Sequence, residues 1–126
     1  MTKQQIKTTS GAAPIGAYSQ GLRVGDFVFV SGQGPVDPAT GKMGTTIEEQ
    51  TARVLENIKA ILAAGGATLA DVVKVSAYLS DIADFEAYNR VYATYFPEPK
   101  PTRTTVACQL KGILVEIDAI AYVGKD

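Results

Sequence analysis

The sequence has no histidine and only one cysteine, Cys108. Without histidine, the Ser-His-Asp and Cys-His routes to an activated nucleophile are closed. His-ligated zinc and iron are closed too, and one thiol cannot build a thiolate zinc site. An intrachain disulfide is impossible, which fits a reducing compartment and a cytoplasmic location. Long apolar runs are also missing. Stretches such as Gly25-Asp26-Phe27-Val28-Phe29-Val30 are strand-sized and broken by charge, so no membrane span is expected. The opening residues Met1-Thr2-Lys3-Gln4-Gln5-Ile6-Lys7 have no apolar segment of the kind a secretory signal needs. Neither sign of charge is in excess: 12 Lys plus Arg face 13 Asp plus Glu. Such a balance offers no global attraction to nucleic acid or anionic lipid. Acid–base work is left to Asp, Glu, Tyr, Lys, Cys, backbone groups and water, and no metal or organic cofactor is expected. Gly32-Gln33-Gly34 lacks the third glycine and the helix of a dinucleotide fingerprint, and no Walker loop is present.

What remains is an ordinary globular balance, 46% hydrophobic and 20% charged over 126 residues, enough for one domain spanning 1–126. Lys3 to Thr9 reads as a short first strand. Tyr18–Val24 and Asp26–Gly32 read as a hairpin about Gly25-Asp26, with Phe27, Phe29 and Ser31 on one face and Val28 and Val30 on the other. Residues 46–64 carry a helical stripe of Ile47, Thr51, Val54, Leu55, Ile58, Ile61 and Leu62. Thr46 with Glu49 predicts a capping box, and Gly65-Gly66 a C-terminal stop. A strand over 72–79 would place Val73, Val75, Ala77 and Leu79 together. A second helix from about Asp81 shows the stripe Phe85, Tyr88, Val91, Tyr92 and Tyr95. Beyond the stiff Pro97–Pro101 connector come strands from Arg103 to Cys108 and from Ile113 to Val123. The order β-β-β-α-β-α-β-β implies an α+β fold, with two helices on one face of a mixed sheet. The other face would then be apolar for a solvated surface. Val28, Val30, Val72, Tyr78, Leu114, Ile120 and Tyr122 are its candidates, which suggests burial between subunits.

Arg103 opens a strand behind a proline-stiffened connector, where a fixed guanidinium fork can take a carboxylate bidentately. Taken alone, a surface arginine paired to a neighbouring acid is the simpler account. Glu116 stands inside an apolar strand, where a carboxylate is costly unless paired or hydrated; partly buried, it could hold a water. A solvated sheet face shared with Asp118 is the simpler account. Tyr18, Ser31 and Gly32 offer hydroxyls and close backbone approach at strand ends, or merely loop geometry. Asn89 lies beside the second helix's aromatic stripe and needs a partner or solvent. Cys108 reads as a small buried hydrophobe.

These residues lie within stretches that resemble the Rid/YjgF family of reactive-intermediate deaminases, nearest its RidA branch. The resembling stretches are Ile15–Gln20, Val24–Gln33, Asp37–Gly41, Gln50–Gly66, Asp84–Asn89, Pro101–Val106 and Val115–Ala119. The similarity runs over essentially the whole chain, and these stretches carry it. The resemblance implies a chorismate-mutase-like fold and a homotrimer with clefts between neighbouring subunits. It implies cofactor-free hydrolysis of 2-aminoacrylate-type enamines and their imine tautomers to 2-oxo acids and ammonia. By this likeness Arg103 binds the substrate carboxylate, helped by Thr105, and Glu116 positions the attacking water. Tyr18, Ser31, Gly32 and Asn89 line the cleft. The chain departs from the family's habits in four places. Thr105 stands where many members have cysteine, Ala17 where proline is frequent, and Gly34 where a bulky aliphatic residue often sits. The Gln109–Gly112 loop is shortened and lacks the usual Leu-Pro.

Three other readings compete: a trimeric metabolite-binding or regulatory protein without turnover, a 3-aminoacrylate deaminase of pyrimidine breakdown, and an endoribonuclease or translation inhibitor. Arg103 together with Glu116 favours an enzyme over a binder, which needs only the arginine. A net charge near zero and missing histidine count against action on RNA.

Overall fold

Polarity alternates along the long strands, and the computed structural model, which describes residues 2–124, turns that alternation into one mixed sheet. The strands are β1 (Lys3–Ile6), β2 (Gly21–Val24), β3 (Phe27–Gln33), β4 (Val72–Leu79), β5 (Thr102–Ala107) and β6 (Val115–Tyr122). The helices are α1 (Ile47–Ala64) and α2 (Phe85–Ala93). The sheet runs β1-β2-β3-β6-β4-β5, so the last strand in sequence sits near the middle. Only β4 and β5 pair in parallel; the other neighbours are antiparallel. The parallel pair requires a crossover, which α2 supplies.

The β2–β3 turn is Gly25-Asp26, with Gly25 at φ 56°. That left-handed conformation costs glycine nothing. At the start of α1, Thr46 Oγ1 accepts from Glu49 N at 3.1 Å, and Thr46 N donates to Glu49 Oε1 at 3.3 Å. This is the predicted capping box. The helix stops at Gly65. A Cβ there would lie 2.5 Å from Ile6 Cδ1 and 3.0 Å from Val28 Cγ1, so a larger residue would have to displace those core side chains.

Val54, Leu55, Ile58, Ile61 and Leu62 of α1 are wholly buried against Val28, Val75, Leu79, Val115, Ile117 and Ala121 of the sheet. Each such side chain contributes about 1.5–3 kcal/mol on leaving water. The helices therefore cover the face that bears Val28 and Val30, which the sequence reading assigned to the open side. Phe27 and Phe29 take their place on the open face beside Tyr122, which the sequence reading did assign there, with ring centroids 6.3 Å (Phe27–Phe29) and 5.1 Å (Phe27–Tyr122) apart. Period-two alternation says which residues share a face, not which face is covered. Val72 and Val73 exchange places for a different reason. A bulge between Val72 and Lys74 buries Val72 and exposes Val73, where unbroken alternation predicts the reverse. Leu114 packs against the core rather than on the open face, and Cys108 is exposed, not buried. Tyr78 and Ile120 do lie on the open face. There Tyr78 Oη donates to Asp118 Oδ2 at 3.3 Å. Burial raises the Asp118 carboxyl above its ordinary pKa, and that carboxylate in turn raises the Tyr78 hydroxyl.

Among the described residues, no helix is long and apolar enough to cross a membrane.

Candidate active site

The structure divides the predicted residues into two groups. The first lies at the edge strand. Val75 and Ala77 of β4 are buried under the helices, and they pair with Arg103 and Thr105 of β5. Arg103 and Thr105 therefore point to the helix face. Arg103 Nη1 donates to Asn89 Oδ1 at 2.8 Å, which answers Asn89's need for a partner. Its guanidinium carbon lies 4.6, 5.5 and 5.6 Å from the ring centroids of Tyr92, Tyr88 and Phe85. All three are cation–π distances. Tyr88 Oη and Thr105 Oγ1 share a hydrogen bond of 3.0 Å. Burial pushes Tyr92 up to about 12 and also raises Tyr88, so both hydroxyls stay neutral beside the cation. The connector before β5 is tied to the end of α2 by Lys100, whose ammonium donates to the Ala93 and Phe96 carbonyls at 3.0 and 2.5 Å. The stripe of α2, read from sequence as core alone, is thus also a cage for Arg103.

The second group lines a cleft of about 880 Å³ at the end of β3 and the start of β6. Glu116 and Gly32 form its floor and Tyr18 stands at its side. A Cβ on Gly32 would fall 2.6 Å from Glu116 Oε2, so glycine there makes room for the carboxylate. Tyr18 Oη accepts from Ile15 N at 3.2 Å, which leaves its own proton free to donate. Ser31 is not among the lining residues. Its hydroxyl donates to the Ser19 carbonyl at 2.6 Å and fixes the Tyr18 segment to β3.

The cleft walls are loops, and buried side-chain amides hold them. Gln20 Nε2 donates to the Thr8 and Ala12 carbonyls at 3.0 and 2.8 Å, while its Oε1 accepts from Thr8 N at 2.8 Å. Asn57 Nδ2 donates to the Gly34 and Val36 carbonyls at 3.1 and 2.9 Å. Gln50 joins the Gly44 carbonyl to Leu114 N, at 2.8 Å on each side. The sequence reading missed these three amides. Their signal is Gln50 and Asn57, seven apart on the face of α1 that also carries Val54 and Ile61.

The two groups do not meet within one chain. Glu116 pairs with Tyr78, and Tyr78 with Val106, both on the open face, while Arg103 turns to the helix face of an edge strand. Among the described residues the one ion pair is Arg53–Asp37, at 3.6 Å, so neither Arg103 nor Glu116 has a charged partner.

Residues 8–123 match the family model described as Endoribonuclease L-PSP. The chain belongs to the Rid/YjgF family. A RutC family protein of Pyrococcus abyssi is 52% identical over 125 residues, covering 97% of this chain and 98% of that one. Reactive Intermediate Deaminase A, chloroplastic, of Arabidopsis thaliana is 41% identical over 122 residues, 94% of this chain and 65% of that one. The crystal structure of E. coli TdcF with bound serine superposes with a TM-score of 0.86 at 35% identity, covering 94% of this chain and 98% of that one. The Rid/YjgF fold is therefore the architecture described above.

Proposed function

We propose that this chain is a cofactor-free hydrolytic deaminase of 2-imino acids, acting at clefts between the subunits of a homotrimer. The observation that carries the reading is the division of the site. A caged guanidinium and a cleft carboxylate, each without an ionic partner among the described residues, are presented at different places on one protomer. A ring of copies, each setting its β5 edge against the next copy's cleft, brings them together. The exposed Phe27, Phe29 and Tyr122 supply apolar surface for such an association. That a relative's structure holds serine supports a small amino or imino acid as ligand. A relative's name, reactive intermediate deaminase, supports the reaction.

In this reading the substrate carboxylate takes the Arg103 fork beside Thr105. Water attacks the carbon of the protonated imine and gives one proton to Glu116, so the tetrahedral carbinolamine carries the former imine nitrogen as a neutral amine. Glu116 returns that proton to the nitrogen, steadied by the Tyr18 hydroxyl. The C–N bond then breaks, ammonia leaves, and the carbinol hydroxyl gives its proton to Glu116, which passes it to solvent as the 2-oxo acid forms. Imines of this kind hydrolyse unaided, so positioning and one oriented water are sufficient catalysis. 2-Iminopropanoate and 2-iminobutanoate are the substrates we assign.

The test is complementation. Arg103→Ala should lose about 1.5–3 kcal/mol of carboxylate binding, and Arg103→Lys should recover little because an ammonium lacks the planar fork. Glu116→Gln should keep binding of a 2-oxo acid and lose turnover. Oligomers assembled from both inactive variants should regain part of the parent activity, since some interfaces pair an intact arginine with an intact glutamate. Light scattering should report three chains. No recovery in folded mixed oligomers would remove the composite site, and a parent inert toward both imines would remove the deaminase.

A further inference from the structure

The segment that delivers Arg103 has few means of holding itself in place. It reads Pro97-Glu98-Pro99-Lys100-Pro101, and its three prolines carry no backbone N–H. The Lys100 N–H donates to Glu98 Oε2 at 3.3 Å, within the segment itself. On the sheet side, Thr102 Oγ1 donates to the Val73 carbonyl at 2.9 Å and seats the start of β5. On the helix side, among the described residues, the hydrogen bonds from the segment to the end of α2 are the two from Lys100 Nζ, to the Ala93 and Phe96 carbonyls. Carbonyls at a helix C-terminus lack N–H partners within the helix, and a cation is favoured there. Phe96 is buried, and its ring centroid lies 4.7 Å from that of Tyr92, the ring nearest the Arg103 guanidinium. One ammonium thus joins the helix that bears the cage to the strand that bears the caged cation. Lys100 is itself exposed, so its place is not imposed by burial.

We infer that Lys100 is a positioning residue for the carboxylate fork: by gripping the last carbonyls of α2 it sets the aromatic cage against Arg103, and so sets the affinity for the anionic end of the substrate. This rests on the deaminase reading above, in which Arg103 takes that carboxylate, and adds to it a residue that acts only through Arg103. The consequence is a split of effects. Binding depends on the fork, whereas the water step belongs to Glu116 in the cleft. Loss of the grip should therefore raise KM and leave kcat near the parent's. An uncharged side chain cannot replace the ammonium, while arginine keeps a cation with several N–H donors and can serve two carbonyls.

The experiment measures calorimetric binding of 2-oxobutanoate, and KM and kcat for 2-iminobutanoate, in the parent, Lys100→Met, Lys100→Arg, Thr94→Val and Arg103→Ala. Lys100→Met should weaken 2-oxobutanoate binding and raise KM, each on the order of ten-fold, short of the roughly hundred-fold that a 1 Å misplacement can cause, with kcat within about two-fold of the parent. Lys100→Arg should recover most of that loss. Thr94→Val controls for helix stability alone. Thr94 Oγ1 donates to the Val91 carbonyl at 2.7 Å, so it caps the same helix end without reaching the connector, and its loss should leave binding as in the parent. Parent-like binding in Lys100→Met overturns the inference. Equal losses in Lys100→Met and Lys100→Arg overturn it too, as does an equal loss in Thr94→Val. In each of those cases a weakened Arg103→Ala leaves the deaminase reading standing. An Arg103→Ala that binds and turns over like the parent overturns that reading and this inference with it.

Discussion

Arg103 is held by regular secondary structure, whereas Glu116 looks onto a cleft walled by loops. Around Arg103 the neighbours are side chains of α2 and β5, and three rings and an amide fix the guanidinium from the helix side. Around Glu116 the strand ends, and the surrounding surface belongs to segments that Gln20, Gln50 and Asn57 fasten through backbone carbonyls and amides. On the reading proposed above, the contrast matches the chemistry each half would meet. A carboxylate is the same in every 2-imino acid and is best received by a rigid fork. The substituent varies, and loops can change shape without disturbing the sheet.

Three substitutions break or sharpen this comparison, and the largest effect is expected at the cage. Tyr92→Ala removes a buried ring, which should cost about 3–5 kcal/mol of stability. It should also weaken 2-oxo acid binding, because the guanidinium loses its nearest ring. Denaturant titration and calorimetry check both, and a stability loss with unaltered binding would show that the ring merely fills space. Asn57→Ala should cost less, about 1–3 kcal/mol, by leaving the Gly34 and Val36 carbonyls without their donor. Hydrogen exchange should quicken around residues 34–42 and stay slow in β4 and β5; uniform quickening would deny the loops their separate fastening. The smallest change in stability belongs to Gly32→Ala, within about 1 kcal/mol, since the colliding carboxylate sits at the end of a flexible side chain. Turnover should nevertheless fall while analogue binding persists. Parent-like kinetics would mean the Glu116 carboxylate need not lie where Gly32 admits it.

Much of this fold could be read from residue order. The α1 stripe, the Thr46–Glu49 cap, the Gly25-Asp26 turn and both strands beyond Pro101 stand where periodicity and turn chemistry put them. What failed was of another kind. Val28 and Val30 alternate with Phe27 and Phe29 perfectly well, but only the docking of α1 decides which pair is covered. The bulge at Val72 is a backbone irregularity with no side-chain signature. Arg103 and Glu116 attracted attention because charge in an apolar strand is costly. Gln20, Gln50 and Asn57 escaped it because an amide does its work without ionising, and its partners are carbonyls that no sequence pattern announces. The cage was hidden differently, since rings at helical spacing look the same whether they pack on leucine or on a guanidinium.

β6 is the last strand made and lies between β3 and β4, so synthesis leaves the sheet as two unjoined pieces until residues 115–122 have emerged. Pairings of such long sequence separation are slow to form, because loop closure must precede the contacts that reward it. Glu116 rides on that closing strand. On a translating ribosome the arginine cage can be complete while the cleft has no floor, and arrival of the Glu116 carboxylate coincides with closure of the sheet. A chain interrupted before β6 would carry a caged guanidinium and unpaired strand edges, a species that quality control can recognise by those edges.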